Sequence, residues 1–111
     1  KQVRDLLFVD DLLAAYDLAV EKIDRTAGQI YNIGGGPENT LSIWREFGPL
    51  LEKELGQEIP VSREDWRPGD QKVFVADIGK AFRDFGWKPE VDVETGIKKL
   101  FEWVRSNRDR F

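Results

Sequence analysis

Two arginines and a run of glycines are the residues of this 111-residue chain whose surroundings could do chemistry. Arg67 is followed by Pro68-Gly69-Asp70, a tight-turn sequence that fixes how the side chain leaves its loop. Arg4 lies in a short strand with Asp5 beside it. A guanidinium presents a planar fork of donors that matches two phosphate oxygens at once. Spacing alone equally allows two plain salt bridges, Arg4 with Asp5 and Arg67 with Asp70. The run Gly34-Gly35-Gly36-Pro37 invites a dinucleotide-binding turn, but Asn39 stands where the third small residue of that motif belongs. The remaining reading is a turn whose backbone passes close to another group, which a ligand could be. Asp10 and Asp11, at a helix start, suit free helical amides better than a metal or an acid–base pair. Trp66 could stack on a ring or cover an edge, and Trp44 is expected in the core.

Other chemistry is excluded outright. With no Cys there is no disulfide, thiolate metal site or cysteine nucleophile, and with no His there is no Ser-His-Asp arrangement. Lys plus Arg total 17 against 21 Asp plus Glu, a net charge of −4, which disfavours nucleic acid and anionic membranes as partners. No apolar run reaches the roughly 18 residues of a membrane span and no stretch reads as a signal peptide, so a cytoplasmic setting is the expectation. The chain also lacks Met, even at position 1, and is expected to have been cut from a longer polypeptide.

The elements that must position these residues are short. Residues 3–9 read as a buried strand entering a helix of about 14 residues, with Leu12, Ala15, Tyr16, Ala19, Val20 and Ile23 on its apolar face and Gly28 beyond its end. Residues 29–33 (QIYNI) read as a strand. Thr40 or Ser42 is expected to cap a helix carrying Ile43, Trp44, Phe47, Leu50, Leu51 and Leu55, kinked or split at Gly48-Pro49. Residues 72–76 read as a further strand. Asp77 is expected to cap a helix over 78–85 closed by Gly86. Asp92 or Thr95 should open the last helix, with Val93, Ile97, Leu100, Phe101 and Val104 inward and a charged, fraying end over 105–111. The class is α/β, or α+β, with short strands and about four helices. So few strands are few for an independent sheet.

The segments QVRDLLFVDDLLAAYDLAVE, IYNIGGGPENTLSIWRE, RPGDQKVFVADIGKAFRDFGWKPEV and ETGIKKLFEWV, in this order, resemble the C-terminal part of the extended short-chain dehydrogenase/reductases, the NAD-dependent nucleotide-sugar epimerases and dehydratases. The resemblance covers almost the whole chain, and IGGGPENTLS with RPGDQKVFVADI is most similar to epimerases of CDP-sugars. It implies that residues 1–111 form the sugar-nucleotide-binding C-terminal lobe of an extended Rossmann-type enzyme. Arg4 and Arg67 would then bind the diphosphate, and Asp70 would hydrogen-bond toward the ribose. NAD would serve the parent enzyme but not be held by this chain, which lacks the family's glycine turn and its Tyr-x-x-x-Lys pair. Here Tyr16 is followed four places on by Val20, and Tyr31 by Gly35. No catalytic residue is therefore expected within the chain. The implied partners are a nucleotide-diphosphate sugar, a CDP-sugar first, and the missing Rossmann domain, whose absence would leave an apolar face open to self-association. A 4-epimerase or 4,6-dehydratase would share the same lobe, and a free-standing binding or interaction module is the alternative of a different class.

Overall fold

The computed structural model describes residues 2–110. In chain order the elements are β1 (Val3–Asp5), α1 (Val9–Glu21), α2 (Ile23–Thr26), β2 (Thr40–Ser42), α3 (Phe47–Leu55), β3 (Val73–Phe74), α4 (Gly79–Phe85) and α5 (Val93–Ser106), with 3-10 turns at Pro37–Asn39 and Arg108–Arg110. This is an α/β fold of five helices and one small sheet among the described residues.

Strand β1 is central. β2 pairs with it antiparallel, Arg4 opposite Leu41, and β3 pairs parallel, Arg4 opposite Phe74. The strand expected over residues 3–9 therefore stops at Asp5. There the carboxylate Oδ2 accepts the backbone N–H groups of Gly36 and Ala76, each at 3.0 Å, and the ladder ends. Leu6 still donates to the Asn39 carbonyl at 3.0 Å before the chain turns into α1.

α1 buries Ala15 and packs Leu18 on a core of Ala81, Phe85 and Trp87. Its expected inner face is only partly inward. Val9, Leu13, Tyr16, Val20 and Ile23 form a continuous outer stripe at helical spacing, each more than half exposed. The helix has apolar residues on two faces, and this fold covers one. Asp10 and Asp11 do not cap it: the N-cap is Phe8, with no side-chain cap bond. Asp11 is buried and accepts instead from the backbone N–H groups of Glu90 (3.1 Å) and Val91 (3.0 Å), while the Trp87 indole donates to the Asp11 carbonyl at 2.8 Å. Asp10 pairs with Lys99 at 3.7 Å. The two carboxylates thus fasten α1 to the approach and body of α5.

Three other expectations are corrected. Residues 29–33 form no strand: Tyr31 and Ile33 pack on the core, and no ladder pairs their backbone among the described residues. Thr40 and Ser42 belong to β2 rather than capping a helix, so Ile43 and Trp44 lie outside α3. α3 begins at Phe47, which places Pro49 in its first turn, where no intrahelical N–H is needed and no kink arises. Of residues 72–76 only Val73 and Phe74 pair with β1.

The two C-terminal helices follow local signals closely. Asp77 Oδ1 accepts from the Gly79 N–H at 2.9 Å, but the N-cap of α4 is Ile78, without a side-chain cap bond, so Asp77 stands one residue outside the expected cap; Gly86 ends the helix in the left-handed region at φ 78°. Asp92 caps α5 by accepting from the Thr95 N–H at 2.8 Å. Ile97 is buried as expected, whereas Leu100 and Val104 are exposed. α5 runs to Ser106 and a 3-10 turn follows over Arg108–Arg110; Phe111 lies outside the described residues. No described helix is long and apolar enough to cross a membrane.

Candidate functional site

The exit of β2 and the loop over residues 61–70 enclose a cavity of about 490 Å³. Arg67 and Asp70 lie on its wall. The turn between them closes through the Asp70 N–H donating to the Arg67 carbonyl at 3.1 Å, with Gly69 at φ 86°. Asp70 Oδ2 accepts the Arg67 backbone N–H at 3.0 Å, and Oδ1 accepts from guanidinium Nη2 at 3.3 Å. With its side chain 83% exposed, Arg67 still presents most of its fork to solvent. An ion pair this exposed contributes little to stability.

Arg4 is not among the residues lining the cavity. Its Nη1 donates to the Val3 carbonyl at 2.8 Å and its Nη2 to the Gln71 carbonyl at 2.7 Å. The Arg4–Asp5 bridge that spacing allowed does not form, because Asp5 is engaged with the Gly36 and Ala76 amides. The Arg67–Asp70 bridge does form. The Arg67 backbone N–H, more than any other contact, holds the Asp70 carboxyl below the usual aspartate range; the Arg67 guanidinium and the charge of Arg4 act in the same direction against partial burial. Arg67 and Asp70 thus form one hydrogen-bonded pair, on whose carboxylate the charge of Arg4 is a smaller influence.

The glycine run does not fit a dinucleotide. A Cβ on Gly34 would lie 2.6 Å from both Ala76 Cβ and Asp5 Oδ2, and one on Gly35 would land on the backbone of Leu6. The close group is thus the end of β1 itself. A three-residue 3-10 turn follows, not the α-helix whose N-terminus would face a pyrophosphate. The structure does bring a lysine against a tyrosine, Lys80 Nζ lying 4.3 Å from the Tyr31 ring centre. Burial and the hydrogen bond to Asp84 Oδ2 at 3.0 Å push the Tyr31 phenol upward, the wrong direction for a tyrosinate base. No described group of three or more acidic, His or Cys side chains could hold a metal ion.

Sequence reasoning missed most of the other lining residues, Ser42, Trp44, Arg45 and Arg63 among them. Trp44 was expected in the core but is 38% exposed. The available signal was the strand: once residues 40–42 pair with β1, the next residues leave the sheet edge beside the 61–70 loop.

The fold has counterparts among solved structures. The fold matches UDP-glucose 4-epimerase from Bifidobacterium longum, solved with NAD+ and UDP, at a TM-score of 0.84 and 30% identity, covering 100% of this chain and 32% of that one. It matches UDP-glucuronic acid 4-epimerase from Bacillus cereus, solved with UDP-glucuronic acid and NAD, at a TM-score of 0.83 and 28% identity, covering 95% and 32%. By sequence the chain is 36% identical over 106 residues to CDP-paratose 2-epimerase of Salmonella typhi, covering 96% of this chain and 31% of that protein. It is 38% identical over 120 aligned positions to dTDP-glucose 4,6-dehydratase of Neisseria gonorrhoeae, covering 98% and 34%. A family profile, GDP-mannose 4,6 dehydratase, matches residues 1–100. The chain belongs to the GDP-mannose 4,6 dehydratase family of NAD-dependent epimerases and dehydratases. It spans about a third of the length of the curated relatives it matches.

Proposed function

We propose that residues 1–111 are the substrate-binding lobe of a longer, cytoplasmic nucleotide-sugar epimerase that uses NAD, and that the lobe grips the nucleotide. Arg67 and Arg4 bind the diphosphate and Asp70 the ribose. The observation that carries this reading is the Arg67–Asp70 pair on the wall of a cavity of about 490 Å³, with most of the guanidinium fork unclaimed. Arg4, outside the cavity lining, would join the grip by giving up its bonds to two backbone carbonyls, which would free its fork. Interactions at this remote end of a substrate can position the sugar for reaction.

The hydride chemistry belongs to NAD held outside residues 1–111, and this chain's own share is binding and orientation. The substrate we favour is a CDP-dideoxyhexose inverted at C2, as the name of the Salmonella typhi relative suggests. A 4,6-dehydratase or a 4-epimerase is the second reading, supported by 38% identity to a dTDP-glucose dehydratase and by the likeness to UDP-sugar epimerases. Calorimetric titration of CDP, UDP and dTDP into protein expressed from the complete reading frame, followed by turnover of the matching sugars, separates them. Absence of binding for every nucleoside diphosphate would overturn the reading.

A further inference from the structure

We infer that Trp44 is the stacking platform for the nucleobase and that Gly48 positions it. The inference rests on the nucleotide-binding reading above and adds the residue that would read the base. Trp44 leaves the sheet two residues after β2 and lines the cavity that Arg67 and Asp70 also line. A Cβ built on Gly48 would lie 3.2 Å from Trp44 Cδ2, 3.2 Å from Cε2 and 3.3 Å from Cε3. Cδ2 is a ring-fusion carbon, bonded in the ring plane on all three sides, so Gly48 reaches it only over the face of the indole. One face of Trp44 therefore rests on the first turn of α3, and the residue as a whole is 38% exposed. A partly exposed aromatic ring backed on one face by backbone, lining a cavity that carries Arg45, Arg63 and Arg67 beside Glu64, Asp65 and Asp70, is an arrangement on which a base stacks.

Two further observations point to a ligand at the same wall. Ser42, at the end of β2, is 1% exposed and its hydroxyl has no hydrogen-bond partner, an uncompensated polar atom in the lining. Trp66, in the facing loop, supplies a second half-exposed indole to the cavity. The cavity volume of about 490 Å³ falls within the roughly 300–1,000 Å³ of small-molecule sites. Sequence patterning hid this role because Trp44 continues an apolar helical period that α3 does not use.

The test compares CDP with inorganic pyrophosphate, which has the same charged end and no base. It uses protein from the complete reading frame and four variants: Trp44→Leu, Trp44→Phe, Gly48→Ala and Arg67→Ala. Melting curves establish that each is folded. Trp44→Leu is expected to weaken CDP binding by about tenfold or more, within the roughly 5–150-fold that one base–aromatic stack supplies, and to leave pyrophosphate unchanged. Trp44→Phe should restore most of the CDP affinity. Gly48→Ala keeps the indole but lifts it by a few tenths of an ångström, and should weaken CDP several-fold with pyrophosphate again untouched; it carries the test alone if Trp44→Leu fails to fold. Unchanged CDP affinity in folded Trp44→Leu, or in Gly48→Ala where that variant stands alone, overturns the platform. Equal loss for CDP and pyrophosphate does so as well. If Arg67→Ala weakens both ligands while the Trp44 and Gly48 variants alter neither, the platform alone falls. If Arg67→Ala also changes nothing, the diphosphate grip falls with it.

Discussion

Arg67 and Asp70 hold each other twice: the Arg67 backbone N–H donates to Asp70 Oδ2 at 3.0 Å, and its guanidinium donates to Oδ1 at 3.3 Å. The backbone bond shapes the turn and the side-chain bond aims the fork. Replacing Arg67 by Ala keeps the first and removes the second. In protein from the complete reading frame, nucleoside diphosphate affinity should fall about 10–150-fold, the range for losing charge-assisted bonds to phosphate. Arg67→Lys should recover only part of it, since an ammonium cannot bond bidentately. Calorimetry beside a melting curve checks both, and a folded Arg67→Ala protein with unaltered affinity would contradict the grip.

Asp70 should also make the turn acid-sensitive. Its carboxyl lies below the ordinary value of 3.8, chiefly through the Arg67 backbone N–H. A depressed folded-state pKa means the stabilising contribution is complete above the ordinary value and lost as pH falls through the lower, folded one. The turn should therefore stay intact at pH 5 and open only below about pH 4. An NMR titration of the Asp70 side-chain carbon reads this directly; a midpoint at or above 3.8 would count against the contacts described here.

Asp11 is a structural carboxylate serving distant backbone. Its replacement by Ala removes the acceptor of two part-buried bonds, from the amides of Glu90 and Val91. The expected loss is about 2–4 kcal/mol, since bonds to a charged group are worth about 1.5–3 kcal/mol each and unsatisfied donors add to the cost. Asp11→Asn keeps an acceptor and should lose less. Urea unfolding of the two variants, side by side, tests the ordering.

The outer stripe of α1 should make residues 1–111 on their own self-associate, as large exposed apolar patches do. Leu13 and Val20 are 55% and 70% exposed, so Leu13→Gln with Val20→Lys should abolish association without lowering the melting temperature. Sedimentation velocity at rising concentration decides; association that persists in the double variant would place the sticky surface elsewhere.

The parts of the fold visible in the amino-acid order are those whose causes are local. Asp92 beside Thr95, and Gly86 after α4, act within one helical turn, and both elements lie where the spacing predicts. The ordered motifs likewise carried the family. What could not be read depends on residues far along the chain. Asp11 looks like a helix cap because its partners stand 79 and 80 positions away. Residues 29–33 have strand composition but no ladder partner, and Thr40 to Ser42 have cap composition but find β1. In the site, Arg67 and Asp70 were visible because they share one turn. Arg45, Arg63 and Trp44 were not, since the cavity joins two segments that no spacing rule connects.

The sheet also has a timetable. Its central strand is made first, but Asp5 is joined to Gly36 across 31 positions and to Ala76 across 71, and Arg4 to Gln71 across 67. At about 5–20 residues per second of synthesis, β1 leaves the ribosome several seconds before β3 exists. Within that interval α1 can form from neighbouring residues alone and Asp5 can find Gly36, but Gln71 and Ala76 are still missing. The β3 edge of the sheet is thus completed last, when the segment carrying Arg67 and Asp70 delivers β3 to an edge that has been waiting for it.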